Sequence, residues 1–177
     1  LGYPVDIRKF HSIFSEEGGN LNMLPAAIGP KKSFEQWIGI APFAAHKGKV
    51  YPPALMEQVI GLLLQKYPKA RIFLFGRGKD EDTYFQQWTE QYPRCLSVSN
   101  NCETMYQELI LMSHLNVMLS MDSANMHLAS LTGTPVVSVW GATHPLAGFL
   151  GFNQKEENII QTDLDCRPCN IYGNQPC

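Results

Sequence analysis

The stretch Asn116-Val-Met-Leu-Ser-Met-Asp-Ser-Ala-Asn-Met-His-Leu-Ala-Ser-Leu-Thr-Gly-Thr-Pro-Val-Val-Ser-Val-Trp-Gly-Ala-Thr-His-Pro145 decides how the rest of the chain is read. Residues 116–121 form a short apolar run of the kind a buried strand needs. Asp122 and Ser123 follow directly, and both carry the short oxygen-bearing side chains that cap helix N-termini. Met126, Leu128, Ala129 and Leu131 then recur at spacings that suit a short helix lying on a sheet. Thr132-Gly133-Thr134-Pro135 ends that helix, with Gly at the exit and Pro just beyond. Residues 135–140 read as a second buried strand, and Gly141-Ala142-Thr143-His144-Pro145 as a small, bendable loop at its far end.

Two parallel strands joined by a helix put both strand ends and the helix N-terminus on one edge of the sheet. Ligands in open α/β sheets bind outside the carboxyl ends of the strands. A helix N-terminus there offers unpaired N–H groups and a partial positive charge, which suit phosphate. Asp122, Ser123, Asn125, His127 and Thr143 all fall near that edge. Capping alone also accounts for Asp122 and Ser123, and a packed core position accounts for His127. Geometry by itself leaves both readings open.

The remaining chain repeats the pattern. Residues 37–41 are an apolar strand, followed by the loop Pro42-Phe-Ala-Ala-His-Lys-Gly-Lys-Val-Tyr-Pro52, again at a carboxyl end. This loop lacks Gly-x-Gly-x-x-Gly, which counts against an ordinary dinucleotide site. It brings Lys47, read as a solvated charge, and Lys49, a point charge able to meet a phosphate oxygen. Residues 53–67 predict a helix with Leu55, Met56, Val59, Ile60, Leu63 and Tyr67 on one face and Pro53 in its first turn. Residues 71–75 are a second strand, and Gly76-Arg-Gly-Lys-Asp-Glu-Asp82 a carboxyl-edge loop entering a helix over 82–92, with Tyr84, Phe85 and Trp88 on a common side. A short strand follows at 96–98, a loop at 99–102, and a helix over 103–113 expected to bury Met105, Leu109 and Met112. A turn-rich loop over 148–157 leads to a final strand at 158–161.

Strands and helices alternate about six times and no strand pair has hairpin spacing. The expected fold over 36–177 is therefore an α/β domain, a Rossmann-like parallel sheet with helices on both faces. Residues 1–35 are broken by Pro4, Gly18-Gly19, Pro25 and Gly29-Pro30 and show no clean period, so they read as a linker or clasp, with a short helix or strand over 7–14.

The chain of 177 residues suffices for one full domain with a sizeable core. A net charge of −2 is too small to argue any charged partner, and no basic stripe points to nucleic acid. Apolar runs are far too short to span a bilayer. The start at Leu1, without Met or a signal-peptide pattern, leads to the expectation of a piece cut from a longer protein. Five cysteines include Cys95 and Cys102 singly, then Cys166-x-x-Cys169 and Cys177. Three cysteines lack the fourth ligand a structural zinc needs; His144 or Cys102 could supply it only in space, against a tail of reduced thiols.

The ordered set Asp122-Ser-Ala-Asn-Met-His127-Leu-Ala129, Gly133-Thr-Pro135, and Gly141-Ala-Thr143-His-Pro145 resembles the signature of the heptosyltransferases, glycosyltransferase family 9. Ala124 stands where the family pattern has Gly, which would add a methyl group at a close backbone approach. The loop ending Lys49-Val-Tyr51-Pro52 resembles the family's Lys-x-Trp-Pro element, with Ala45 where many members carry a hydroxyl. The resemblance spans 38–177 and implies the C-terminal, donor-binding half of a GT-B fold. It implies donor contacts from Lys49, Asp122, Ser123, Ala124, Asn125, His127 and Thr143, and ribose binding by Glu81, with Asp80 and Asp82 as rivals. Pairing with a helix dipole would use the same three carboxylates. The nucleobase is expected near the 99–102 loop.

The implied reaction transfers a heptose or related sugar from a nucleoside diphosphate, ADP-heptose foremost, to a lipopolysaccharide core acceptor by inverting displacement. The general base is expected on a preceding N-terminal domain, so no catalytic base is assigned here. No cofactor or metal is implied, because a lysine and a helix N-terminus take the cation's place. The implied setting is cytoplasmic, with peripheral association at the inner face of the membrane. Another GT-B nucleotide-sugar enzyme and a non-catalytic binding domain are the alternatives.

Overall fold

Along β1 (Gln36–Ala41) every residue after Gln36 is buried, which makes it a central strand covered on both faces. The computed structural model describes residues 10–147 and 149–175. Expectations resting on 1–9, on Gly148 and on Cys177 lie outside them. These are the first part of the element over 7–14, the start of the 148–157 loop and the third clustered cysteine.

β1 pairs with β2 (Ala70–Leu74) on one side and β4 (Val117–Met121) on the other. β3 (Cys95–Ser97), β5 (Val136–Trp140) and β6 (Ile159–Gln161) extend the sheet to the order β3-β2-β1-β4-β5-β6, with every pairing parallel. The register sets Ile38 opposite both Ile72 and Val117. The helices α1 (Pro53–Lys66), α2 (Lys79–Gln91), α3 (Met105–Ser113) and α4 (Ala124–Leu131) fill the crossovers.

The pleat divides the core in two. Ile38 and Ile40 meet Met56, Ile60 and Leu64 of α1 and Phe85 and Trp88 of α2 on one face. Trp37 and Ala41 meet Phe73, then Leu111 and Met112 of α3 and Met126 and Ala129 of α4, on the other. Three helix faces differ from the sequence expectation. In α1 the buried stripe is Met56-Ile60-Leu64, while Leu55, about 100° round the helix from Met56, is exposed. In α3 the buried set is Glu108, Ile110, Leu111 and Met112, and Met105 is exposed at the first turn. In α4 Ser130 is buried and Leu131 exposed, with the Ser130 hydroxyl satisfied by the Met126 carbonyl at 2.7 Å.

Residues 10–35 lie across the α3–α4 face as a strap of short turns. Ile28 is buried in the core, Gly19 N–H donates to Ser113 Oγ at 2.9 Å, and Ile13 N–H donates to the Leu131 carbonyl at 2.9 Å. Arg71 of β2 holds the strap by donating to the carbonyls of Ile28 at 2.6 Å and Ala27 at 2.8 Å. Among the described residues no helix is long and apolar enough to cross a membrane.

Candidate functional site

The strand order reverses direction between β1 and β4. At such a switch point the segments leaving the two carboxyl ends diverge and open a crevice. The segment after β1 turns tightly over Lys47–Lys49 and delivers Lys49; the end of β4 delivers Asp122. Lys49 Nζ and Asp122 Oδ2 form an ion pair at 2.8 Å across the crevice. Thr143 Oγ1 donates to the same oxygen, also at 2.8 Å. The Asp122 side chain is only 4% exposed, so its charge depends on these two donors rather than on water.

Neither Asp122 nor Ser123 caps α4. Ser123 holds the capping position, but its hydroxyl makes no capping bond and lies 3.3 Å from Ser120 Oγ. Asp122 is drawn to Lys49 and Thr143 instead. Among the described residues the first-turn N–H groups of α4 have no side-chain acceptor, the condition under which a helix N-terminus can receive an anion.

A cleft of about 400 Å³ opens here, within the roughly 300–1,000 Å³ range of small-ligand sites. It brings together Lys49, Glu81, Asp122, Ser123, Ala124, Asn125 and His127. His127 is exposed along the cleft and is not a core histidine. Ala124 is exposed at the head of α4. Thr143 is fully buried and does not line the cleft; it supports Asp122 from behind. Lys47 is exposed outside the lining, and of the three neighbouring carboxylates only Glu81 enters it. The Glu81 carboxylate sits directly over Gly76, where an added Cβ would fall 2.1 Å from Oε2. Burial raises the Glu81 pKa; a hydrogen bond to the Arg77 backbone opposes the shift and the Asp82 charge adds to it.

Several contributors carry no sequence signal. Phe43, His46, Arg77, Phe149 and Tyr172 also line the cleft. Arg167 donates from Nη2 to the Thr143 carbonyl at 2.9 Å and to Gln161 Oε1 at 2.9 Å, fixing the loop behind Asp122. Gly173, at φ +69°, packs where any Cβ would meet Lys49 Cγ at 2.9 Å. Thus the returning segment over 162–175 covers the Lys49 stem, a long-range contact that no local spacing announces. Among the described residues no group of three or more His, Cys, Asp or Glu is arranged to hold a metal.

Sheet order and switch-point crevice together define a Rossmann-like α/β domain with its cleft at the β1 and β4 carboxyl ends. Comparison with family models then narrows the class: the model for glycosyltransferase family 9 (heptosyltransferase) matches residues 20–175, and the chain belongs to that family. Comparison with curated proteins finds no match.

Among solved structures the chain is similar to E. coli heptosyltransferase WaaC with ADP, at 19% identity and a TM-score of 0.61, over 75% of this chain and 38% of that one. It is also similar to E. coli ADP-heptose lps heptosyltransferase II, at 20% identity and a TM-score of 0.60, over 84% and 44%. A glycosyl transferase family 9 structure from Veillonella parvula DSM 2008 aligns at 20% identity and a TM-score of 0.59, over 77% and 38%. These likenesses show the GT-B type of fold. The chain spans less than half the length of each of the three.

Proposed function

We propose that this chain is the donor-binding half of an inverting glycosyltransferase that takes a nucleoside diphosphate sugar, ADP-heptose foremost, and delivers the sugar to a lipopolysaccharide core acceptor. The observation that carries the reading is the Lys49–Asp122 pair at the switch point, beside the uncapped N-terminus of α4. Displacement at an anomeric carbon builds charge on the departing diphosphate, and fixed positive groups aimed at that charge lower the barrier. Lys49 and the α4 amides supply such groups without a metal or cofactor. In this scheme the diphosphate competes with Asp122 for Lys49, and Thr143 keeps Asp122 satisfied when the lysine shifts. Glu81 accepts from the ribose hydroxyls, Asn125 and His127 flank the phosphates, and Asp122 is left beside the donor sugar. The general base that deprotonates the acceptor comes from a partner domain. The setting is cytoplasmic, with peripheral contact at the inner membrane face.

A second reading, a binding module without turnover, is favoured by one observation: Ala124 presents a methyl group to the cleft at the head of α4. The test of both is calorimetric titration of the folded chain with ADP, GDP and UDP, with Lys49→Ala and Ala124→Gly in parallel. Selective ADP binding that falls at least about tenfold in Lys49→Ala supports the donor-half reading, an effect of the size expected for a charged hydrogen bond. Equal binding of all three nucleotides, or ADP binding that Lys49→Ala leaves intact, overturns it. ADP binding that appears only in Ala124→Gly assigns the chain to the second reading.

A further inference from the structure

We propose that Arg77 is the platform on which the nucleobase of the bound nucleoside diphosphate stacks. The proposal rests on the donor-half reading above and assigns a residue which that reading leaves unused.

Arg77 follows Gly76 at the carboxyl end of β2 and lines the cleft. Its guanidinium is anchored at one nitrogen only. Nη2 donates to the Cys102 carbonyl at 3.1 Å and to the carboxylate of Glu108. Among the described residues, Nε and Nη1 have no partner. The Glu108 side chain is 8% exposed, on a helix face otherwise made of Ile110, Leu111 and Met112. A carboxylate buried in such a face is costly unless it is paired, so the fold retains there a group whose ionic partner is Arg77. The Arg77 side chain itself is 53% exposed, at the wall of the cleft, where a ligand can reach it.

The direction of the ligand follows from the charges. Lys49 and the head of α4 define the phosphate end. The same cleft runs on to Gly76, Arg77 and Glu81, so the nucleoside of a ligand anchored at Lys49 extends toward β2. The Arg77 charge is already met there by Glu108, which weakens its pull on a phosphate and leaves a cationic plane for an aromatic ring. A guanidinium presents a flat cationic face that stacks well on such a ring, and a lysine ammonium does not reproduce the plane. The Arg77 backbone also holds Glu81 by a hydrogen bond. One residue thereby fixes the ribose carboxylate through its main chain and meets the base through its side chain.

The test titrates ADP and ribose 5-diphosphate, which lacks the base, into the 177-residue chain, observed by NMR. The variants are Arg77→Lys, which keeps a cation for Glu108, and Arg77→Met combined with Glu108→Gln, which removes the pair together. The expected result is an ADP affinity lowered about five- to tenfold in both variants, with ribose 5-diphosphate binding unchanged. Equal losses for the two ligands would make Arg77 a phosphate or ribose contact and overturn the proposal, as would unchanged ADP binding. Lys49→Ala serves as the control that weakens both ligands alike. A wild-type chain that binds neither ligand overturns the donor-half reading itself, an outcome distinct from a failure at Arg77.

Discussion

Asp122 gathers two donors on one carboxylate oxygen, and Glu81, half-buried beside the Asp82 charge, has a backbone hydrogen bond. The contrast sets their behaviour. Because burial raises the Glu81 pKa, the native state holds its proton to higher pH than the unfolded chain does. As pH rises from the ordinary carboxylate value through the raised native one, the unfolded state releases its proton first, and stability falls across that window. Glu81→Gln removes this slope. Urea unfolding of both proteins across mildly acid to neutral pH is expected to show the variant gaining on the wild type as pH rises, then a constant gap. A parallel pair of curves would show that Glu81 has no raised native pKa. At this scale the sequence conveyed the motif residues well. Lys49, Asp122 and the head of α4 are ordered along the chain, and a carboxyl-edge argument brings them together. It left open how they work: capping accounts for Asp122 and Ser123 as readily as ligand contact does, and in the fold neither side chain caps, the aspartate pairing with Lys49 instead. Arg77 and Glu108 were invisible as a pair, because a buried carboxylate in an amphipathic helix reads as an ordinary solvated one.

Elements were legible where their period was strong. The strands are short, apolar and separated by turn residues, so they could be located by pattern alone. Helix faces were less secure, because a single period admits neighbouring stripes and only the sheet decides which one is buried. In α1 this gives a direct comparison. Ile60 is fully buried in the core between α1 and the sheet, whereas Leu55 is 40% exposed. Ile60→Ala is expected to cost about 2–5 kcal/mol through lost burial and the cavity left behind. Leu55→Ala is expected to change stability by less than about 0.5 kcal/mol. Equilibrium denaturation of the two variants checks the assignment, and comparable losses would mean that the helix is rotated on the sheet.

The order β3-β2-β1-β4-β5-β6 belongs to the whole molecule, and no local pattern discloses it: the sequence shows alternation, while the reversal between β1 and β4 emerges only when long crossovers close. The strap is a similar case. Its residues have no period because they follow the contours of α3, α4 and β2 rather than forming an element of their own. Arg71 is its main polar tie, with its guanidinium over the rings of Phe34 and Phe73 as well as on two strap carbonyls. Arg71→Ala is expected to speed proteolytic cleavage within 20–35 severalfold while leaving ADP binding intact; an unchanged cleavage rate would show that the apolar anchor Ile28 suffices. The returning segment has a consequence for biosynthesis. Lys49 is translated before the backbone that packs on its stem, at Gly173, and before the arginine that steadies the loop behind Asp122, Arg167, both of which follow every strand of the sheet. The sheet that opens the Lys49–Asp122 crevice can therefore form before the segment that walls it, so the crevice is finished from its C-terminal side.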